Sequence, residues 1–169
     1  KKILTICPGA EFGPAKRWPS NYFAEVVTYY SNKDWIVIAI GSKKDKTVVQ
    51  EIESCLDNNQ RNFINTVGNT NLEDAIDLLS ISSLVLTNDS GLMHIASALD
   101  IPLLALFGRT SPEFTPPLGE KSEIIRKVKG YMKLRKGDLP GGYHSSLFSI
   151  KPQETIDKLK SMEKTFISF

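Results

Sequence analysis

The segment from 83 to 108, SLVLTNDSGLMHIASALDIPLLALFG, decides the fold predicted for this chain. It opens with the short apolar run Ser83 to Thr87, which predicts a buried strand. A polar turn and a helix running to about Leu99 follow, and the apolar run Pro102 to Phe107 predicts a second strand. Two apolar strands joined by a helix favour a parallel βαβ unit whose helix covers one face of the sheet.

The same alternation extends to both ends of the chain. Further strands are predicted at Ile3 to Cys7, Trp35 to Ile40, Phe63 to Val67 and Ser122 to Val128. Helices are predicted at Tyr22 to Tyr30, Val48 to Leu56, Leu72 to Leu79 and Pro152 to Phe169, and residues 130–149 are expected to be irregular. We therefore expect one α/β domain over residues 1–169, built on a doubly wound, Rossmann-like parallel sheet.

Composition limits the possible functions of the chain. With 21 Lys and Arg against 19 Asp and Glu, the net charge of +2 gives no field that would favour a nucleic-acid partner. Cys7 and Cys55 are expected to be buried thiols in a reducing compartment. No apolar run reaches the roughly 20 residues of a membrane span, so we expect a cytoplasmic protein. The absence of an initiator Met predicts that the natural chain extends upstream.

Ligands of a doubly wound sheet bind at the carboxyl ends of its strands. The loops after Cys7, Ile40, Val67, Thr87 and Phe107 are therefore the candidate site. The sequence contains no G-x-G-x-x-G fingerprint, Walker A loop, G-x-S-x-G elbow or paired metal-ligand spacing. The missing motifs argue against hydride transfer and nucleotide hydrolysis.

The strongest local signal is the strand end and helix start at 87–94, TNDSGLMH. Free amides and the helix dipole typically favour an anion there by about 0.3 to 1 kcal/mol, so Ser90 and Gly91 are expected to bind a diphosphate. Asp89 would repel phosphate and is expected to accept hydrogen bonds from sugar hydroxyls. His94 lies one turn later on a similar face, where it would touch phosphate or sugar. The alternatives are an ordinary Asp or Ser N-cap and a packed structural histidine.

The loop at 8–19, PGAEFGPAKRWP, presents a Lys-Arg pair at the same sheet edge. Lys16 is expected to meet phosphate, since a hydrogen bond to a charged group is worth roughly 1.5 to 3 kcal/mol. A solvated basic loop is the alternative. Trp18 is expected to pack against the following helix instead of the ligand.

Two further turns offer nucleoside contacts. Asp45, in GSKKD at 41–45, is placed to accept hydrogen bonds from ribose hydroxyls, although it equally fits a helix N-terminal acid. Thr70 begins a turn that offers backbone groups to a base, with a plain helix cap as the alternative. The loop at 108–117 is expected to be a rigid surface loop at the ligand edge. Six of the eleven residues at 126–136 are basic, which fits anionic lipid, an acidic acceptor or a solvated linker.

The motifs at 8–19, 87–94, 111–117 and 142–144 together resemble those of the bacterial ADP-heptose:lipopolysaccharide heptosyltransferases of glycosyltransferase family 9. The resemblance runs in order over nearly the whole chain. That family has the GT-B architecture, two Rossmann-like domains facing each other across a cleft. The resemblance implies that this chain is the C-terminal, donor-binding domain and that an N-terminal acceptor domain lies outside it.

The resemblance also implies roles for individual residues. Lys16 would contact the donor diphosphate and heptose and stabilise the leaving group. The other implied donor contacts are phosphate for Ser90 and Gly91, heptose hydroxyls for Asp89, the nearby pocket for His94, ribose for Asp45 and adenine for Thr70. The family's proposed catalytic base is an acidic residue of the N-terminal domain, so none is expected here. Arg109 departs from the proline or small residue common in relatives.

The implied reaction is inverting transfer of L-glycero-D-manno-heptose from ADP-heptose to the lipopolysaccharide inner core, without a metal or cofactor. The implied partners are ADP-heptose, the inner-core acceptor bound through the missing domain, and the inner face of the cytoplasmic membrane as a peripheral contact. Exposed Phe166, Ile167 and Phe169 would be contacts to that missing domain. The alternatives are a GT-B-like UDP-N-acetylglucosamine 2-epimerase domain and a non-catalytic nucleotide-binding module.

Overall fold

A computed structural model describes residues 1–57, 61–131, 133 and 136–167. Its single sheet contains six parallel strands. The strands are β1 Ile3–Cys7, β2 Ile36–Ala39, β3 Phe63–Asn65, β4 Leu84–Asn88, β5 Leu103–Phe107 and β6 Ser122–Arg126. The helices are α1 Ser20–Ser31, α2 Lys46–Ser54, α3 Leu72–Ser80, α4 Gly91–Ala98, α5 Ser145–Phe148 and α6 Pro152–Phe166.

The strand order is β3-β2-β1-β4-β5-β6, so the sheet grows outward in both directions from the β1–β4 pair. This order confirms the doubly wound, Rossmann-like α/β fold. Cys7 of β1 lies in register with Thr87 of β4, so these two strands end side by side. Because the winding reverses at this point, the loops that leave β1 and β4 diverge and open a crevice.

Two apolar layers hold the helices against the sheet. Leu84 and Leu86 point into one layer, which also receives α1, α2 and α6, while Val85 points into the other with α3 and α4. This alternation is the two-residue period of a strand buried on both faces. Trp18 is fully buried in the first layer, and its Nε1 donates to the carbonyl oxygen of Ile150 at 2.9 Å. Its ring lies 5.6 Å from that of Tyr22 and 5.0 Å from that of Phe23, both in α1, which confirms that Trp18 packs against the following helix.

The prediction that both thiols are buried was half wrong. Cys7 is buried in β1, but Cys55 is exposed. Cys55 follows Ile52 by three residues and would share its buried face if α2 continued, but α2 ends at Ser54. Beyond that helix end, the helical spacing no longer sets the burial of Cys55.

The C-terminal region also differs from its prediction. Residues 130–149 were expected to be irregular, yet they include the short helix α5. The final helix ends at Phe166, and Phe166 and Ile167 are half-buried against the first apolar layer instead of being exposed contacts. Phe169 lies outside the described residues, as do 132, 134 and 135 within the basic stretch 126–136. Within the described ranges, no helix is both long and apolar enough to cross a membrane.

Candidate functional site

A cavity of about 460 Å³ opens at the carboxyl edge of the sheet. Each of the first four strands contributes to its wall through the segment that follows it, represented by Gly9 after β1, Asp45 after β2, Thr70 after β3 and Ser90 after β4. The segment after β5, which was also expected at the ligand edge, is not among the described lining residues. In that loop Phe114 is exposed but Thr110 and Ser111 are buried, so the prediction of a surface loop holds for only part of it.

The structure brings most of the sequence-predicted residues to this cavity. Asp45, Thr70, Ser90 and Gly91 line it directly. Lys16 and Asp89 form an ion pair within the two loops that supply its β1 and β4 walls. His94 is exposed on α4 and is not among the described lining residues.

Asp45 has the helix-capping role that the sequence left as one of its two alternatives. Its Oδ2 accepts hydrogen bonds from the backbone N–H of Ser42 at 2.9 Å and from the Ser42 hydroxyl at 2.8 Å, which is the capping arrangement of a helix N-terminal acid. Its Oδ1 lies 3.6 Å from Nη2 of Arg17. A Cβ at Gly9 would overlap the Asp45 carboxylate, so only glycine lets the first loop pass this close.

Lys16 and Asp89 join two loops that are 73 residues apart in the sequence. The Lys16 Nζ donates to Asp89 Oδ2 at 2.9 Å, and the two side chains are 16% and 11% exposed. The same ammonium lies 5.3 Å from the centre of the exposed Phe12 ring. A lysine has three N–H donors, so this ion pair leaves donors available to an anion.

The start of α4 is not closed by its own side chain. Ser90 occupies the N-cap position but makes no capping hydrogen bond, and its Oγ instead lies 3.3 Å from Oγ1 of Thr87. The ordinary serine cap is thus not the arrangement found. A Cβ at Gly91 would meet nothing within 4 Å. Open space beside uncapped helix amides is a suitable place for an anion.

The wall segment after β3 leads into α3, and the residue that caps this helix is Asn71, the neighbour of the predicted Thr70. Asn71 accepts from the backbone N–H of Asp74 at 2.8 Å, and the Asp74 carboxylate accepts from the Asn71 N–H at 2.9 Å. The plain cap therefore belongs to Asn71, while Thr70 is left to line the cavity beside Leu72. Apolar side chains of α3 and α4 complete this part of the wall, namely Ala75, Leu92 and Ile95.

Asn88 organises the cavity, and the sequence interpretation missed it. Its fully buried side chain donates through Nδ2 to the carbonyl oxygens of Pro8 at 2.8 Å and Gly9 at 3.3 Å. Its Oδ1 accepts from the backbone N–H of Trp18 at 3.0 Å. A buried amide at a strand end must find partners, and this requirement was the available signal. The bonds fix both ends of the first loop to β4.

The motif at 142–144, which is part of the family resemblance, packs against the first loop at 8–19. The Tyr143 hydroxyl is 3.2 Å from both Ser20 Oγ and Glu51 Oε2, which links this segment to α1 and α2. Burial raises the pKa of Tyr143 above its usual value. A Cβ at Gly142 would come within 2.8 Å of the Pro14 ring, so this segment packs closely against the turn that carries Lys16.

Burial also governs the ionisation of Cys7, the thiol in β1. Desolvation by burial raises the pKa of Cys7 to about 12; the Asp45 charge adds to this shift, and a hydrogen bond with Thr87 partly opposes it. The thiol is therefore neutral at physiological pH and unsuited to nucleophilic chemistry. Within the described part of the chain, no group of three or more His, Cys, Asp or Glu is placed to hold a metal ion.

The chain is similar to known glycosyltransferases over nearly its full length. A family model described as glycosyltransferase family 9 (heptosyltransferase) matches residues 1–144. Lipooligosaccharide heptosyltransferase 2 of Haemophilus influenzae is 48% identical over 164 residues, covering 96% of this chain and 47% of that protein. Lipopolysaccharide heptosyltransferase 2 of Salmonella typhimurium is 47% identical over 163 residues, with the same coverage.

A solved structure supports the same relationship. ADP-heptose lps heptosyltransferase II of E. coli superposes with a TM-score of 0.89 at 40% sequence identity, covering 98% of this chain and 47% of that one. The chain thus spans about half the length of the relatives it matches. Since the family model covers 144 of the 169 residues, the chain belongs to glycosyltransferase family 9, the heptosyltransferases.

Proposed function

We propose that the chain is the donor-binding, C-terminal half of a GT-B heptosyltransferase II. The complete enzyme would transfer L-glycero-D-manno-heptose from ADP-heptose to the inner core of lipopolysaccharide or lipooligosaccharide. The observation that carries this proposal is the cavity at the switch point of the sheet, where four sequence-predicted donor residues meet in a chain 47 to 48% identical to heptosyltransferases 2. Residues 1–169 would form one domain, with the acceptor domain in the other half of the protein.

One part of the cavity wall is apolar and another part is polar, which suits a nucleotide. Leu72, Ala75, Leu92 and Ile95 form an apolar part beside Thr70, which fits the faces and edge of adenine. Buried apolar surface favours a flat base by roughly 25 cal/mol per Å² removed from water. Asp45 at the next segment would then accept hydrogen bonds from the ribose hydroxyls through the oxygen that Ser42 does not use.

The diphosphate and sugar would lie toward the start of α4. Ser90 and Gly91 offer a hydroxyl and uncapped amides to phosphate oxygens. Lys16 would bind the diphosphate, and Asp89 at 2.9 Å from it would turn its remaining acceptor sites to heptose hydroxyls. His94 lies one turn further along α4, where it would contact the donor from the rim of the site.

In the proposed reaction, an acceptor hydroxyl attacks the anomeric carbon of the heptose as the bond to the diphosphate oxygen breaks. The hydroxyl proton goes to a base on the other half of the enzyme, and ADP leaves with the bonding electrons. Lys16 and the α4 amides would stabilise the negative charge that grows on the leaving diphosphate. The residues of this half supply positive charge for that step, and no metal or cofactor is invoked.

The two alternatives differ in what the domain should bind and do. A UDP-N-acetylglucosamine 2-epimerase domain would prefer uridine nucleotides, whereas membership of the heptosyltransferase family favours ADP-heptose. A non-catalytic nucleotide-binding module would bind ADP but would never gain transfer activity. Contact with the inner face of the cytoplasmic membrane is part of the proposal, because the acceptor is a membrane lipid.

Calorimetric titration with ADP and UDP tests the proposal. We expect the 169-residue chain to prefer ADP and to show no heptosyl transfer alone, since the base and acceptor surface belong to the other half. Transfer should appear when the same chain is joined to the N-terminal half of a family 9 relative. A preference for UDP would support the epimerase instead. ADP binding without transfer in the joined protein would support the non-catalytic module.

A further inference from the structure

Lys16 and Arg17 are neighbours in sequence but pair with different segments at the carboxyl edge of the sheet. Lys16 ends the short 3-10 turn Pro14–Lys16, and Arg17 follows in extended conformation with φ −99° and ψ 131°. This change of backbone direction separates the two cations. Lys16 pairs with Asp89 after β4, whereas Arg17 pairs with Asp45 after β2.

Arg17 is the member of the pair that lines the cavity wall. Its side chain is 17% exposed, and its Nη2 lies 3.6 Å from Asp45 Oδ1, which is an ion pair beyond hydrogen-bonding distance. In the described structure, no residue accepts a hydrogen bond from its guanidinium, and its Nε is buried without a partner. An arginine has five N–H donors, and buried donors in folded proteins are normally satisfied. The group is therefore placed to bind an acceptor that the protein itself does not supply.

The guanidinium itself, and not the net charge of the cavity, indicates the kind of acceptor. The charged residues that line the cavity are Glu11, Arg17, Lys44 and Asp45, which sum to zero. Phosphate oxygens would supply the negative acceptors that a guanidinium binds in pairs. Because Arg17 stands beside Asp45, the proposed ribose site, the nearest phosphate of a bound nucleotide is the one attached to the ribose.

We propose that Arg17 binds the α-phosphate of the donor nucleotide, while Lys16 acts on the β-phosphate and sugar side. The geometry that carries this proposal is the separation of the two adjacent cations onto Asp45 and Asp89. This inference rests on the proposed function for the position of the ribose. The effect of Arg17 depends on the presence of the α-phosphate and not on the base, so the Arg17 proposal remains testable if the base preference is wrong.

Titration of adenosine, AMP and ADP into the wild type and Arg17→Ala separates the possibilities. We expect AMP and ADP to lose affinity by the same factor, on the order of 10- to 150-fold, as for a lost hydrogen bond to a charged group. Adenosine should change by less than about 3-fold, a far smaller loss than that expected for a charge-assisted contact. Lys16→Ala should weaken ADP and leave AMP close to wild type.

Two further variants keep the test decisive. Arg17→Lys retains the charge and loses the paired donors, so its AMP affinity should fall between those of the wild type and Arg17→Ala, and it serves if Arg17→Ala folds poorly. Lys121→Ala removes one positive charge from an exposed ion pair with Asp100 and is expected to bind all three ligands like the wild type.

Three results would overturn the proposal. An unchanged AMP affinity in Arg17→Ala removes the phosphate contact. A loss confined to ADP moves Arg17 to the β-phosphate. An equal loss for adenosine means that Arg17 acts only by holding Asp45. The proposed function fails separately, if the wild type prefers UDP to ADP. In that case UMP, UDP and uridine replace the adenine series, and the Arg17 test proceeds unchanged.

Discussion

The side chain of Asn88 donates a hydrogen bond of 2.8 Å to the carbonyl oxygen of Pro8, tying the end of β4 to the first residue after β1. The same amide also holds Gly9 and the backbone N–H of Trp18. The loop that carries Lys16 and Arg17 is thus held at both ends by one buried residue. Its shape is set before any ligand binds, which reduces the ordering cost of binding.

Asn88→Asp should disturb this loop while keeping the shape of the side chain. An ionised carboxylate would face two carbonyl oxygens, so we expect the free energy of unfolding to fall by about 1 to 3 kcal/mol at neutral pH, with weaker ADP binding. The unfavourable contact raises the carboxyl pKa in the folded state. Stability and affinity should therefore recover as pH falls through that raised pKa, because the protonated acid donates again.

Denaturant unfolding and ADP titration between pH 5 and 8, in parallel with the wild type, measure this recovery. Asn21→Asp, an exposed change in the first turn of α1, is the matched control and should show no such pH dependence. Asn88→Asp binding ADP like the wild type at pH 8, with only its stability reduced, would contradict the role of Asn88 in shaping the site.

Gly91→Ala tests whether a ligand approaches the start of α4. A methyl group there meets nothing within 4 Å, and alanine is favoured over glycine in a helix by up to about 1 kcal/mol. The free energy of unfolding should therefore stay constant or rise, while ADP affinity falls because the methyl group occupies phosphate space. Thermal melts and calorimetry measure the two quantities. Undiminished ADP affinity would place the phosphate elsewhere.

Gly9→Ala, unlike Gly91→Ala, should lower the free energy of unfolding of the ligand-free protein. Its Cβ would overlap the Asp45 carboxylate, which is held by Ser42. Relief requires the loop or Asp45 to move, and overpacking of this kind typically costs about 1 to 3 kcal/mol. We expect a lower melting temperature together with weaker ADP binding. Wild-type stability in this variant would show that the loop adapts freely.

Asp89→Ala separates sugar recognition from phosphate recognition. Removing the carboxylate frees the Lys16 ammonium from its 2.9 Å ion pair, so ADP affinity should hold or rise. ADP-heptose should bind more weakly relative to ADP, since the acceptor for its hydroxyls is lost. Competition titration with both ligands gives the ratio. Equal losses for both, in a variant with an intact fold, would argue that Asp89 serves only to position Lys16.

The two thiols should behave differently in solution. Cys55 is exposed and should react with a thiol reagent in the native protein, whereas Cys7 should react only after unfolding. Because burial raises the Cys7 pKa to about 12, the unfolded thiol ionises first as pH rises above roughly 8.5. The free energy of unfolding should then fall with rising pH, by at most about 1.4 kcal/mol per unit from this group.

Counting labelled thiols before and after denaturation tests the first statement. Comparing the pH dependence of unfolding between pH 8 and 10 in the wild type, Cys7→Ala and Cys55→Ala tests the second. Only Cys7→Ala should flatten the alkaline slope. Rapid native labelling of both thiols would refute the buried assignment of Cys7.

The sequence by itself determined the fold class and the edge of the sheet where the site lies. Apolar strands such as Leu103–Phe107 alternate with amphipathic helices, and this local periodicity depends only on neighbours in the chain. The helix start at Ser90 and Gly91 was likewise visible, because strand, turn and helix signals adjoin one another. The motifs at 8–19 and 87–94 were specific enough to indicate the family, which the family model confirms.

Only the tertiary structure decided how these parts meet. Lys16 pairs with Asp89, 73 positions away, and Arg17 pairs with Asp45, 28 positions away. No local sequence pattern encodes these pairings. The roles of Asn88 and Gly9 depend on the approach of another loop, and the exposure of Cys55 depends on where α2 ends. Periodicity specifies which residues face inward, but long-range packing selects their partners.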